Sequence, residues 1–223
     1  METTLPLPFL VSITSPNEQA ANDGLSRQEV ALLGAPFYET ASKDWGRPSA
    51  GTNGHMDATS LSNPDDVVAL LDGGVRTSFV TSETYSEYTE YGAGVSPAVS
   101  TLDLSAATEN GLLIKDFEVS SSDIDKFIQD AQAKKIKSLY LKPTPETDIE
   151  KFVEVAKNSG AIPIIPSTGL TTDKNDSSRL SLSKVIASYW KSDRSDGLIP
   201  TVVTDDAGIA LGLAYTSEES ILE

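Results

Sequence analysis

A chain of 223 residues with 39% hydrophobic residues, no cysteine and a net charge of −16 has room for one large or two small domains. It excludes disulfide-stapled and thiolate-metal folds. The acidic balance argues against nucleic-acid and anionic-membrane partners, which are held by clustered Lys and Arg, and requires any phosphate site to be local.

The first apolar stretch, residues 5–13, is short, contains Pro6 and Pro8 and has no basic flank, so it does not read as a signal peptide. No run reaches the ~20 apolar residues of a membrane span, and a cytoplasmic protein is the default expectation. Within that stretch 7–13 (LPFLVSI) reads as a buried strand, closed by the Ser15-Pro16-Asn17 turn signal. Residues 29–34 (EVALLG) are a second strand candidate. The Gly-, Ser-, Thr- and Asn-rich stretch 41–62 reads as a flexible loop or insertion. His55, the only histidine, falls inside it and reads as a surface loop residue with no partner for acid–base work.

From Asn63 the pattern is regular. Asn63 is an N-cap, Pro64 takes the first helical position, Asp65 and Asp66 fill the first turn, and Gly73-Gly74 ends the helix. Residues 77–81 (TSFVT) follow as a strand. Tyr85, Tyr88 and Tyr91 recur three residues apart among acids, a helical aromatic stripe best used in core packing. A helix from Ser122 to Lys135, a strand over 138–142, a helix over 147–159 ending at Gly160, a strand over 161–165 and a helix over 179–189 complete the series. Helices alternating with β-branched runs predict an α/β fold with (βα) repeats and a mostly parallel sheet. Too few units are visible for eight, so the expectation is an open sheet or incomplete half-barrel, followed by a C-terminal β-hairpin.

Several residue groups invite a chemical reading. Ser167, Thr168 and Gly169 follow the strand over 161–165, where a turn would present N–H and hydroxyl donors to a phosphate; the alternative is an ordinary βα loop. Lys142 ends a strand, a position where burial can favour Schiff-base chemistry, but a solvated lysine or an ion pair to Glu146 or Asp148 suits the sequence better. Asp173 and Asp176 lie in a polar loop and lack the spacing of a calcium loop.

In the last thirty residues, two alternating runs over 198–204 and 209–215 flank an Asp205-Asp206-Ala207-Gly208 turn. With Gly197, Leu198, Pro200, Val203, Asp205, Leu211, Ala214 and Tyr215, this block resembles the opening of the phosphoribosyl-AMP cyclohydrolase domain of histidine biosynthesis. The pair Thr216-Ser217 after Tyr215 is closer to the fungal trifunctional histidine-biosynthesis protein, where cyclohydrolase, phosphoribosyl-ATP diphosphatase and histidinol dehydrogenase segments follow one another. The resemblance implies an α/β domain over 1–192 and the start of a truncated cyclohydrolase domain over 193–223.

It also implies zinc, with magnesium as a second metal, a phosphoribosyl metabolite as substrate, and a homodimer through the cyclohydrolase domain. The family's Cys-Asp-x-Asp-x-Asp cluster and its Ser-Arg-Ser-Arg run have no counterpart in this sequence. No catalytic or metal-binding residue is therefore carried over, no cofactor is expected in this chain, and it is expected to be inactive as a hydrolase by itself. The alternative is a non-catalytic α/β module for scaffolding, dimerisation or phosphorylated-metabolite binding through Ser167, Thr168 and Gly169. In either case Val202, Leu211, Leu213 and Tyr215 are expected to be under-buried in an isolated hairpin.

Overall fold

The computed structural model describes residues 7–14, 24–39, 54–119, 123–190, 192–205, 208–217 and 219–220. Two compact units are present, Met1–Gly169 and Leu170–Glu223.

The first unit is built on eight parallel strands: β1 (Leu10–Ile13), β2 (Pro36–Tyr38), β3 (His55–Asp57), β4 (Thr77–Thr81), β5 (Val95–Val99), β6 (Leu112–Phe117), β7 (Leu139–Pro143) and β8 (Ile162–Pro166). They pair in chain order, and β1 closes the ring by pairing with both neighbours: Val11 stands opposite Pro36 of β2, and Leu10 opposite Ile164 of β8. The expected incomplete half-barrel is therefore wrong; the sheet is a closed eight-stranded parallel barrel. An open sheet would leave the N–H and C=O groups of β1 and β8 unpaired along two edges, and closure removes both edges.

The strand β6 was not expected from the sequence, and three features hid β2, β3 and β5. β2 and β3 have only three residues each. β5 carries Pro97 opposite Val80 of β4, and proline ordinarily speaks against an inner strand. β3 and β5 also bury His55, Asp57 and Ser96, which breaks the apolar run expected of a parallel strand.

The barrel core draws on every strand or its immediate approach. Leu10, Ala35, Phe37, Phe79, Ala98, Leu113, Tyr140 and Ile164 form one buried cluster, and His55 of β3 lies against the rings of Phe79 and Tyr140. The histidine expected on a surface loop is thus 1% exposed, inside the barrel. A Phe79–Tyr140 edge-on contact with ring centres 5.0 Å apart adds a favourable aromatic geometry.

Outside the barrel run α1 (Arg27–Leu32), α2 (Pro64–Asp72), α3 (Ile124–Lys134) and α4 (Ile149–Ser159). The strand expected over 29–34 is instead the body of α1. Ser26 and Glu29 close a capping box there, the Ser26 side chain accepting from the Glu29 N–H and the Glu29 carboxylate from the Ser26 N–H. α2 begins as expected, with the Asn63 side chain accepting from the Asp65 N–H. Beneath α2, Val67, Val80, Tyr88 and Val95 make a second apolar cluster. It places the middle tyrosine of the 85–91 series in the core, on a 3₁₀ segment, Tyr85–Gly94. Phe117, Phe127 and Phe152 meet between β6, α3 and α4. Gly111 adopts φ +128° where a Cβ would overlap the Ser138 carbonyl, so only glycine fits the entry to β6.

The second unit contains a short parallel pair, β9 (Leu170–Thr171) with β10 (Leu180–Ser181), the helix α5 (Leu182–Tyr189), and an antiparallel ribbon of β11 (Ile199–Thr204) and β12 (Ala210–Thr216). The ribbon matches the expected hairpin, and its Val202, Leu211, Leu213 and Tyr215 are exposed. Among the described residues no helix is long and apolar enough to cross a membrane.

Candidate functional site at the barrel mouth

In a parallel barrel the C-terminal strand ends converge on one mouth. Here that mouth carries two ion pairs. The Lys142 ammonium of β7 lies 3.3 Å from the carboxylate of Glu39, which follows β2. Lys142 is thus neither solvated nor paired with Glu146 or Asp148; it reaches across the mouth.

The second pair is deeper. Asp57 ends β3 and is 5% exposed, and its Oδ2 lies 2.9 Å from the Lys115 Nζ of β6. Asp57 Oδ1 accepts from the Thr59 N–H and from its hydroxyl, at 3.0 and 2.6 Å. Lys115 also donates to the Thr59 hydroxyl at 2.9 Å. Carboxylate, hydroxyl and ammonium therefore hold one another in a fixed triangle, which is the condition for burying charge without a large penalty.

Above this triangle opens a cleft of about 640 Å³, lined in part by Thr59, Thr81, Ser82, Ser100, Thr101 and Lys115. Glu83 and Asp103 also line it. Backbone and hydroxyl hydrogen bonds from residues 81–83 hold the Glu83 carboxyl below its ordinary range. Hydrogen bonds from the Ser105 hydroxyl and N–H do the same for Asp103. Both remain ionised at neutral pH.

Below the mouth, burial pushes His55 down to about 3, with the positive charge of Arg76 acting in the same direction. Among the described residues neither ring nitrogen has a hydrogen-bond partner. His55 is a neutral core side chain wedged between aromatic rings. A zinc ion does not fit these residues: the sequence has no cysteine, its one histidine is enclosed, and among the described residues no three His, Asp or Glu side chains converge. Asp173 and Asp176 act as turn acceptors, Asp173 for the Asn175 N–H and Asp176 for the Ser178 N–H, with Arg179 on the second Asp176 oxygen.

The phosphate-turn residues Ser167, Thr168 and Gly169 form a 3₁₀ turn directly after β8. Ser167 is buried and Thr168 exposed. The Ser167 carbonyl accepts from the Leu25 N–H at 3.1 Å, and at Gly24, with φ +128°, a Cβ would overlap that same carbonyl. The turn is thereby fixed to the chain entering α1. The sequence reading did not include Glu39, Asp57, Thr59 or Lys115 among its candidates. The available signal was the lysine two residues after Leu113, on the inward-facing positions of the LLIKDF strand.

No protein-family model matches the chain. The histidine biosynthesis trifunctional protein of Neurospora crassa is 44% identical over 234 aligned residues, taking in all of this chain and 27% of that protein. Over its whole length this chain is homologous to a segment of the fungal histidine biosynthesis trifunctional protein. The Candida albicans protein of the same name is 28% identical over 96% of this chain and 25% of its own length. The Schizosaccharomyces pombe histidine biosynthesis bifunctional protein his7 is 35% identical over 88 residues, 39% of this chain and 21% of that protein. This chain spans about a quarter of the length of the trifunctional relatives.

Proposed function

We propose that this chain is a segment of a multifunctional histidine-biosynthesis enzyme. In this reading its barrel is a non-hydrolytic module for a phosphorylated metabolite, and its C-terminal ribbon opens a phosphoribosyl-AMP cyclohydrolase-type domain. The observation that carries the reading is the 44% identity to the Neurospora trifunctional protein along the whole chain. The ribbon residues Gly197, Leu198, Pro200, Leu211, Ala214 and Tyr215 support the cyclohydrolase part, as does their exposed apolar surface, which further strands would cover. Water activation for purine ring opening needs a metal to lower the water's pKa, and among the described residues no three His, Asp or Glu side chains are grouped to hold one. The barrel's own contribution in this reading is binding, with Ser167, Thr168 and Gly169 presenting donors to a phosphate and the cytoplasm as its location.

Three measurements test this. Purified chain incubated with phosphoribosyl-AMP, with and without added zinc, is expected to give no ring-opening absorbance change above buffer; turnover would overturn the assignment of hydrolysis to residues outside this sequence. The gene is expected to continue in frame from the codon for Glu223 into a Cys-Asp-x-Asp-x-Asp motif, and a different downstream sequence would remove the cyclohydrolase part. Calorimetry with phosphoribosyl-AMP is expected to give binding heat that the Thr168→Val variant loses. Absence of heat in the unmodified chain ends the phosphate-turn claim.

A further inference from the structure

We infer that the cleft above Lys115 and Asp57 is a binding site for a neutral polyhydroxylated small molecule, a sugar or polyol, rather than for a phosphate or a nucleobase. The inference is independent of the phosphate turn after β8 and of any cyclohydrolase activity.

The lining decides the ligand class. Six of its side chains bear hydroxyls: Thr59, Thr81, Ser82, Ser100, Thr101 and Ser105. The Thr59, Ser82 and Ser105 hydroxyls already donate to Asp57, Glu83 and Asp103 and so offer a ligand acceptor lone pairs, whereas Ser100 and Thr101 can both donate and accept, matching a ligand whose own groups do the same. The remaining uncharged lining is Ala98, Val99 and Ala106, small aliphatic surface suited to the C–H face of a sugar ring. Among the described residues no aromatic ring lines the cleft, so a purine or pyrimidine finds nothing there to stack on.

Charge excludes an anion. Among the described residues the cleft's one cation, Lys115, is already paired with the buried carboxylate of Asp57, and Glu83 and Asp103 add two negative charges to the lining. A phosphate entering here meets net negative charge, whereas a diol meets carboxylate acceptors.

The floor is preorganised. Of the three N–H donors on Lys115, one goes to Asp57 and one to Thr59, leaving the third for a ligand oxygen. Asp57 and Thr59 fix the ammonium, so little side-chain freedom is lost when a ligand binds. The volume of about 640 Å³ lies in the range of small-molecule sites.

The test is a titration of the isotopically labelled full chain with D-ribose, with ribitol and with inorganic phosphate, followed by amide NMR. The expected result is saturable shifts at residues 81–83 and 99–105 with both polyols and none there with phosphate. Thr101→Val, an exposed change that leaves the fold intact, is expected to weaken polyol binding about three- to tenfold, the value of one hydrogen bond. Lys115→Met is expected to weaken it at least about tenfold, as loss of a charged donor does. The Lys126→Met variant, at an exposed position of α3, is expected to bind polyol as the unmodified chain does. Any of three results overturns the proposal: phosphate shifting the same residues as strongly, no saturable polyol shift in the cleft, or unchanged affinity in Thr101→Val and Lys115→Met alike.

Discussion

The barrel and the ribbon are both β structure, but they treat backbone and apolar surface in opposite ways. In the barrel each strand has two partners, and the largest side chains, Phe37, Phe79 and Leu113 among them, are completely enclosed. In the ribbon each strand has one partner, and Ile209, Leu211 and Leu213 are each more than 60% exposed. The barrel strands pair their backbone on both sides and enclose their apolar surface; the ribbon strands pair on one side only and leave apolar surface exposed. Kinship along the whole chain does not imply equal structural self-sufficiency along it.

That contrast can be broken by substitution. Truncating Phe79→Ala removes a ring at the centre of the barrel cluster and is expected to cost about 3–5 kcal/mol, read as a lower denaturation midpoint. Asp57→Ala should cost about 2–3 kcal/mol. It strands a partly buried lysine, but Lys115 is 24% exposed, so water recovers some of the usual penalty for breaking a buried pair. Glu39→Gln, at a pair whose two members are each about one-fifth exposed, should cost under about 1 kcal/mol.

The barrel is also expected to be acid-sensitive through His55. Its pKa is about 3 in the folded chain and about 6.5 when unfolded. The neutral form is the folded one, so this stability is complete above pH 6.5 and falls as the pH drops toward 3. Between pH 7 and pH 5 the loss is about 2 kcal/mol, and a His55→Leu variant measured over the same range should lack that component. At the other end of the scale, Leu213→Ser in the ribbon is expected to change stability by less than about 0.5 kcal/mol. A ribbon effect as large as that of Phe79→Ala would mean the two regions share one cooperative core.

How much of this could be read from the sequence follows the same physical line. α2, α4 and β4, β7 and β8 announce themselves through caps, apolar stripes and β-branched runs, within a residue or two of their observed ends. The ribbon was legible, with Val202, Leu211, Leu213 and Tyr215 exposed as expected, although Val203 and Ile209 are exposed as well. The barrel's closure was not, because β2, β3 and β5 are short, interrupted by proline or inwardly polar, and β6 carries Lys115 and Asp116 within its run. The α1 helix was misread through its apolar Val30-Ala31-Leu32 run, although the Ser26-x-x-Glu29 capping box upstream carried the opposite message. The mouth residues were hidden for a different reason. Asp57 and Lys115 are separated by 58 positions in sequence (115 − 57), and only closure of the ring brings β3 and β6 to a common mouth. Ser167, Thr168 and Gly169 were legible as a turn at a strand's C-terminal end, and that is where they lie.

Amide hydrogen exchange on the full chain, resolved by peptide, tests the contrast between barrel and ribbon most directly. The strands β1, β4, β6, β7 and β8 should exchange through the slowest openings of the molecule, while 199–216 exchanges orders of magnitude faster at the same pH. Protection of 199–216 equal to that of the barrel strands would contradict the account.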